Sequence, residues 1–223
     1  MNQSAAIFDM DGLLLDTDPK IWLESMQEVA HRHNIPISTE LLKFTKGLRI
    51  FEVTNFWNEY LGWNDKPKSV RVAEEIIDTV IASAKKSGRV MPGVQALLSA
   101  LQEHDIPLGV ATSSPQRMVH ELLQHFNLNQ YFTQIHTADN CFMGKPHPEV
   151  YLNCARALGV WSWRCIAFED SVNGMVAAKA ARMSCVVVPT AEQFDNPAFG
   201  LAEIKIRSLE QFTYQDYLRL CIH

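Results

Sequence analysis

Ser4-Ala5-Ala6-Ile7-Phe8-Asp9-Met10-Asp11-Gly12-Leu13-Leu14-Leu15-Asp16-Thr17 is the stretch from which the fold follows. Ser4 to Phe8 is short, apolar and stopped by acid and glycine, the pattern of a buried parallel strand that delivers polar residues at its carboxyl end. Short apolar runs at Ile106 to Ala111, Gln134 to Thr137, Cys165 to Phe168, Cys185 to Val188 and Ile204 to Ile206 predict further strands of the same sheet. Between them, Pro92 opens a helical pattern with Val94, Leu97, Leu98 and Leu101 on one face; Pro115 and Pro148 open two more. Strand and helix alternate from about Val90 to the end, which predicts an α/β fold with a doubly wound parallel sheet covered on both faces. Ligands then belong at the carboxyl ends of the strands.

Residues 18–88 break this rhythm. Ile21 to Arg32, Ile50 to Tyr60 and Val70 to Lys85 are long amphipathic runs without a convincing strand between them. They predict an all-helical insertion standing as a cap over the ligand edge of a core made of residues 1–17 and 89–223, with hinges near Asp16 to Asp18 and Ser87 to Pro92. A chain of 223 residues has room for both.

With 47% hydrophobic and 20% charged residues, the composition is that of a folded globular chain. A net charge of -5 without a Lys/Arg block excludes an electrostatic footprint for nucleic acid or anionic lipid, so any bound anion must be held locally. No apolar run approaches a membrane span, and the N-terminus lacks a basic segment followed by a long apolar one. Five widely spaced cysteines, none at zinc or redox spacing, read as reduced core thiols of a cytoplasmic protein. Nothing in the sequence demands more than a monomer.

Asp9 and Asp11 stand two residues apart, so in extended backbone both carboxylates face one side. Such a pair at a sheet's edge can ligate Mg²⁺, and one member can attack phosphorus; taken alone it is equally an acidic turn closed by Gly12. Ala111-Thr112-Ser113-Ser114-Pro115 offers hydroxyl and consecutive N–H groups ahead of a helix, a cradle in which Thr112 and Ser113 can hold phosphate oxygens and Ser114 is the expected N-cap. Gly144-Lys145-Pro146-His147-Pro148 holds one ammonium between prolines, where it can neutralise phosphate charge. Phe168-Glu169-Asp170-Ser171 ends a strand with two adjacent acids, metal donors or a favourable charge at a helix N-terminus.

Acid pair, hydroxyl, lysine and acid pair on successive strands resemble the four motifs of the haloacid dehalogenase superfamily, over nearly the whole chain. The helical insertion resembles the cap of the subfamily that contains phosphoglycolate phosphatases, sugar phosphatases and beta-phosphoglucomutases. Asp16-Thr17-Asp18-Pro19 with Trp22, and Ala181-Arg182-Met183, look most like the branch of hexitol and 2-deoxyglucose-6-phosphate phosphatases. The resemblance implies a Rossmann-like core and a Mg²⁺-dependent phosphatase acting on small phosphorylated sugars or sugar alcohols. It implies that Asp9 is the nucleophile and Asp11 the acid/base, that Thr112 and Lys145 hold the phosphoryl group, and that Asp9, the Asp11 carbonyl and Asp170 bind magnesium, with Glu169 acting through water. Arg49, in Thr45-Lys46-Gly47-Leu48-Arg49-Ile50, is implied to reach the substrate's distal part, and is otherwise a solvated helix N-terminus. Many members carry glycine where Arg182 stands, which leaves the end of that helix open.

Two alternatives remain. A beta-phosphoglucomutase shares this core, but such mutases resemble one another in a histidine just after the first motif, where this chain has Asp18, Pro19, Lys20 and Ile21. A phosphoacceptor signalling domain also gathers acids, a hydroxyl and a lysine around Mg²⁺, but is short and lacks a helical insertion. Dehalogenases and phosphonoacetaldehyde hydrolases lack the second aspartate that is present here as Asp11.

Overall fold

The computed structural model describes residues 4–17, 19–38, 41–42, 45 and 48–221; Asp18 of the first hinge, and Lys46 and Gly47 of the substrate-loop reading, lie outside the described residues. Six parallel strands, β1 (Ala5–Phe8), β2 (Leu108–Thr112), β3 (Gln134–Thr137), β4 (Cys165–Glu169), β5 (Ser184–Val187) and β6 (Ile204–Lys205), form one sheet in the order β3-β2-β1-β4-β5-β6. The chain runs outward from β1 to β3 and then returns to lay β4 on β1's other side. The order therefore reverses at β1 and β4, the crevice where doubly wound sheets bind ligands. Thr112 and Glu169 close their strands instead of following them.

The physical basis of the sheet is burial on both faces. Every residue of β1, β2 and β4 is buried, and Phe8 stacks on Phe168 with ring centroids 4.5 Å apart. In register, Phe8 pairs with Val110 on one side and Phe168 on the other, which brings the three strand ends level. Around the sheet lie α4 (Val94–Glu103), α5 (Gln116–His125), α6 (Glu149–Ala157), α7 (Val172–Ala180) and α8 (Tyr214–Leu220). The α6 residues Val150, Tyr151 and Cys154 join Ile7, Ala111 and Ala167 in one apolar cluster.

The chain divides into two compact units, Met1–Asp16 with Arg89–His223, and Thr17–Gly88. Within the second are α1 (Pro19–Arg32), α2 (Ile50–Tyr60) and α3 (Lys66–Ser87), and no strand among its described residues. Asp65 caps α3 by accepting the Lys68 N–H at 2.9 Å, and Pro67 suits its first turn. Val72, Ala73, Ile76, Ile77, Val80 and Ile81 form its buried stripe, each larger aliphatic contributing ~1.5–3 kcal/mol of transfer free energy. Ser69 Oγ donates to Asn55 at 2.9 Å, tying α3 to α2. No helix among the described residues is long and apolar enough to cross a membrane.

Two expectations are settled here. The end of α7 is regular: the Arg182 N–H donates to the Lys179 carbonyl and the Met183 N–H to that of Ala178, the two bonds of a Schellman motif. Arg182 fills the left-handed position at φ +65°, where glycine is unstrained. Arg182→Gly is therefore expected to raise stability by roughly 0.5–1 kcal/mol, the Cβ strain relieved less the added freedom of the unfolded chain; thermal unfolding measures it. The reading of all five cysteines as core thiols is corrected at Cys221, which is exposed at the end of α8, while the other four are buried.

Candidate functional site

Asp9 directly follows β1, and its N–H donates to the Phe168 carbonyl at 3.0 Å, so the sheet's own pairing carries it to the crevice. Lys145 arrives from the loop before α6. Its Nζ donates to Asp9 Oδ1 at 2.6 Å, Glu169 Oε1 at 2.5 Å and the Ala111 carbonyl at 2.8 Å. One ammonium thus joins the ends of β1, β2 and β4. The Lys145 side chain is 6% exposed and that of Glu169 0%, so the centre is almost dry. Glu149 shapes the lysine's loop by accepting the Phe142 N–H at 3.0 Å.

Glu169 is fully engaged. Its Oε1 accepts from Lys145 and from the Tyr151 hydroxyl at 2.6 Å, and its Oε2 accepts from the Asp170 N–H at 3.2 Å and the Ser171 hydroxyl at 3.2 Å. Ser171 also caps α7 by accepting the Gly174 N–H at 3.0 Å. A Cβ at Gly174 would land on the Glu169 carboxylate. Gly174→Ala is accordingly expected to push Glu169 off Lys145 and to destabilise the protein by about 3 kcal/mol or more, since it separates a buried pair; thermal unfolding of the variant reads it.

Gly12 turns the chain after the acid pair at φ +81°, and a Cβ there would land on Asp170 Oδ2. The turn is closed by the Gly12 N–H on the Leu15 carbonyl at 2.8 Å. Asp11 Oδ2 accepts a short hydrogen bond from the Ser114 hydroxyl, a contact between residues 103 apart in sequence. This corrects the reading of Ser114 as the N-cap of α5: the N-cap position is Pro115, which has no side-chain donor or acceptor, and Asp139 Oδ2 accepts the Gln116 N–H at 2.7 Å. The Thr112 hydroxyl accepts the Ser114 N–H at 3.1 Å, and Ser113 lies half-buried between them.

The electrostatics are those of a centre short of positive charge. Burial pushes the Asp9 carboxyl up from 3.8, Lys145 pulls it down, and Glu169 and Asp11 raise it again, leaving it at about 7. Burial and then Asp9 and Glu169 hold Asp170 well above the usual carboxylate range. Burial alone would lower Lys145, but the carboxylates of Asp9 and Glu169 outweigh it and hold the ammonium firmly charged. Asp9, Glu169 and Asp170 each offer a carboxylate oxygen within 4.8 Å of the others. An all-oxygen donor set of excess negative charge fits a hard divalent cation such as Mg²⁺.

Asp9, Lys145, Glu169 and Asp170 are thus gathered at one point, with Asp11 and Thr112 bound to the Ser114 turn beside it. Arg49 belongs to the other unit, at the N-cap of α2, where its guanidinium holds Glu52 Oε1 at 2.9 and 2.5 Å. Burial alone would raise Glu52; these bonds outweigh it and hold the carboxyl below its ordinary value. Tyr151, Ser114 and Ser171 were not singled out as site residues. For Tyr151 a signal existed, since a phenol on an otherwise apolar helix face needs a buried partner.

The chain is similar to known proteins over most of its length. A family model described as haloacid dehalogenase-like hydrolase matches residues 6–188. The chain is 40% identical to hexitol phosphatase B of Escherichia coli strain K12 over 215 residues, covering 96% of each chain. It is 35% identical to a phosphorylated carbohydrates phosphatase of Thermotoga maritima over 79% of this chain and 81% of that protein. The crystal structure of a beta-phosphoglucomutase from Clostridium difficile superposes with a TM-score of 0.81 at 25% identity, covering 99% of this chain and all of the other.

Proposed function

The chain belongs to the haloacid dehalogenase-like hydrolase family, and on that footing we propose that it is a Mg²⁺-dependent phosphatase of small phosphorylated sugars or sugar alcohols. The observation that carries the reading is the buried contact of Lys145 with both Asp9 and Glu169, with the Asp170 carboxyl beside them held well above its usual range by burial and the neighbouring acids. In this reading an Asp9 carboxylate oxygen attacks phosphorus as the bond to the sugar oxygen breaks, forming an aspartyl-phosphate. Asp11, held by Ser114, gives its proton to the departing alcohol oxygen and afterwards takes one from the water that hydrolyses the acyl phosphate. Thr112, Ser113 and Lys145 hold the phosphoryl oxygens. Mg²⁺, held by Asp9, the Asp11 carbonyl and Asp170, with Glu169 through water, would screen the negative charge that otherwise keeps a carboxylate from a phosphate. Arg49 is assigned to the substrate's distal part, and residues 18–88 to a cap that excludes bulk water.

Similarity to the hexitol and phosphorylated-carbohydrate phosphatases supports the substrate class. Cysteines that form no disulfide among the described residues suit a reducing compartment, the cytoplasm. The test is phosphate release from hexitol phosphates, 2-deoxyglucose 6-phosphate, other hexose phosphates and phosphoglycolate. Release is expected to be fastest for the first two and to fall at least about 100-fold in EDTA, with recovery on adding Mg²⁺. Absence of release from every ester in Mg²⁺ would refute it. The likeness to a beta-phosphoglucomutase supports the second reading, which is decided by whether beta-glucose 1-phosphate is isomerised or hydrolysed.

A further inference from the structure

At the opposite edge of the sheet, where strands begin, Trp163, Lys179, Arg182, Met183, Ser184 and Glu203 line an open cleft of about 490 Å³. Trp163 precedes β4, and the five residues of that strand at ~3.3 Å each separate the cleft from the carboxylate–lysine centre by roughly 16 Å. No residue is shared between them.

Three features of the cleft and of the turn that carries Trp163 are left unexplained by phosphoester chemistry. Trp161 and Trp163, on one turn, are 72% and 46% exposed, although large indole surfaces are ordinarily withdrawn from water. The Arg164 guanidinium lies over the Trp163 ring, 4.9 Å from its centroid, so this indole already takes a cation on one face. Arg182 is held in the left-handed conformation at the mouth of the cleft, and among the described residues its side chain has no acid partner. Lys179, by contrast, is neutralised by Glu203, whose Oε2 is anchored to β5 by the Cys185 N–H at 2.6 Å. In a chain of net charge -5, the cleft therefore brings a guanidinium without an acid partner among the described residues beside the half-exposed Trp163.

We propose that this cleft binds a nucleoside phosphate, with the base stacked on Trp163 and the phosphate held by the Arg182 guanidinium. Both halves are required: an indole face attracts planar rings, and a guanidinium fork matches phosphate oxygens.

The experiment is calorimetric titration of ADP into the full chain carrying Asp9→Asn, so that turnover is silenced. One saturable site with a Kd below about 1 mM is expected, weakened about tenfold or more by adding Trp163→Ala or Arg182→Gly. Adenosine and inorganic phosphate alone are each expected to bind more weakly than ADP. With Asp9 restored, both single variants should hydrolyse phosphate esters at the wild-type rate. Lack of ADP binding at millimolar concentration overturns the proposal, and so does binding that survives both substitutions or is displaced by inorganic phosphate with Mg²⁺. Arg182→Gly relieves backbone strain, so it remains a usable variant even if Trp163→Ala fails to fold.

Discussion

Asp9→Asn is expected to lower phosphate release by a factor of roughly 10⁴ or more, the scale of losing an acting nucleophile, in a chain that stays folded. The amide keeps the shape of the carboxylate and can still accept from Lys145, but cannot form a stable acyl phosphate. Folding should benefit in metal-free buffer. Asp9 titrates near 7 in the folded chain against an ordinary 3.8, so between those values the folded state holds the extra proton. Stability of metal-free wild type from this group therefore falls as pH rises from about 4 to 7, and Asp9→Asn removes that fall. Thermal unfolding in EDTA at pH 5 and pH 8, with release measured in Mg²⁺, separates the two effects. Appreciable turnover in the variant would exclude Asp9 as nucleophile.

Lys145→Met should be the most damaging change to the fold. It leaves the buried carboxylates of Asp9 and Glu169 facing each other without the ammonium that joins them, and strips the Ala111 carbonyl of a donor. Breaking a buried pair by removing one partner costs about 3–5 kcal/mol. For a chain of this size each kcal/mol moves Tm by ~2–4 °C, so a fall of at least about 6 °C is expected, together with loss of phosphate release. Lys145→Met combined with Glu169→Gln should regain part of that Tm, because the pair is then removed from both sides, and should regain none of the activity. A single variant with unchanged Tm would mean that Lys145 does not compensate these acids.

Both changes fall on residues legible from the chain itself. Asp9, Thr112, Glu169 and Asp170 stand at or just past apolar runs of strand length, and that local pattern locates strand ends before any contact is known; Lys145 lies in the loop between β3 and α6, marked by its flanking Gly144 and Pro146. The helical unit was equally legible, since the stripe of Val72, Ile76 and Val80 repeats at helical spacing. Harder to read were residues whose partner is remote. Ser114 precedes a helix, and local rules make it a cap; its hydroxyl instead meets Asp11, while Asp139, 23 residues from Gln116, takes the capping role. Tyr151 reads as one more apolar helix position until Glu169 is found at its hydroxyl.

The amino-acid order alone thus determined the succession of strands and helices, the helical run between β1 and β2, and the few polar positions delivered to strand ends. These depend on hydrophobic period and chain stiffness, which act over a handful of neighbours. Tertiary structure decided which polar groups pair: Lys145 with Asp9 across 136 residues, Ser114 with Asp11, and Tyr151 and Ser171 with Glu169. Side-chain partners are chosen by the packing of β1 between β2 and β4, and a one-dimensional pattern carries no record of which strands become neighbours.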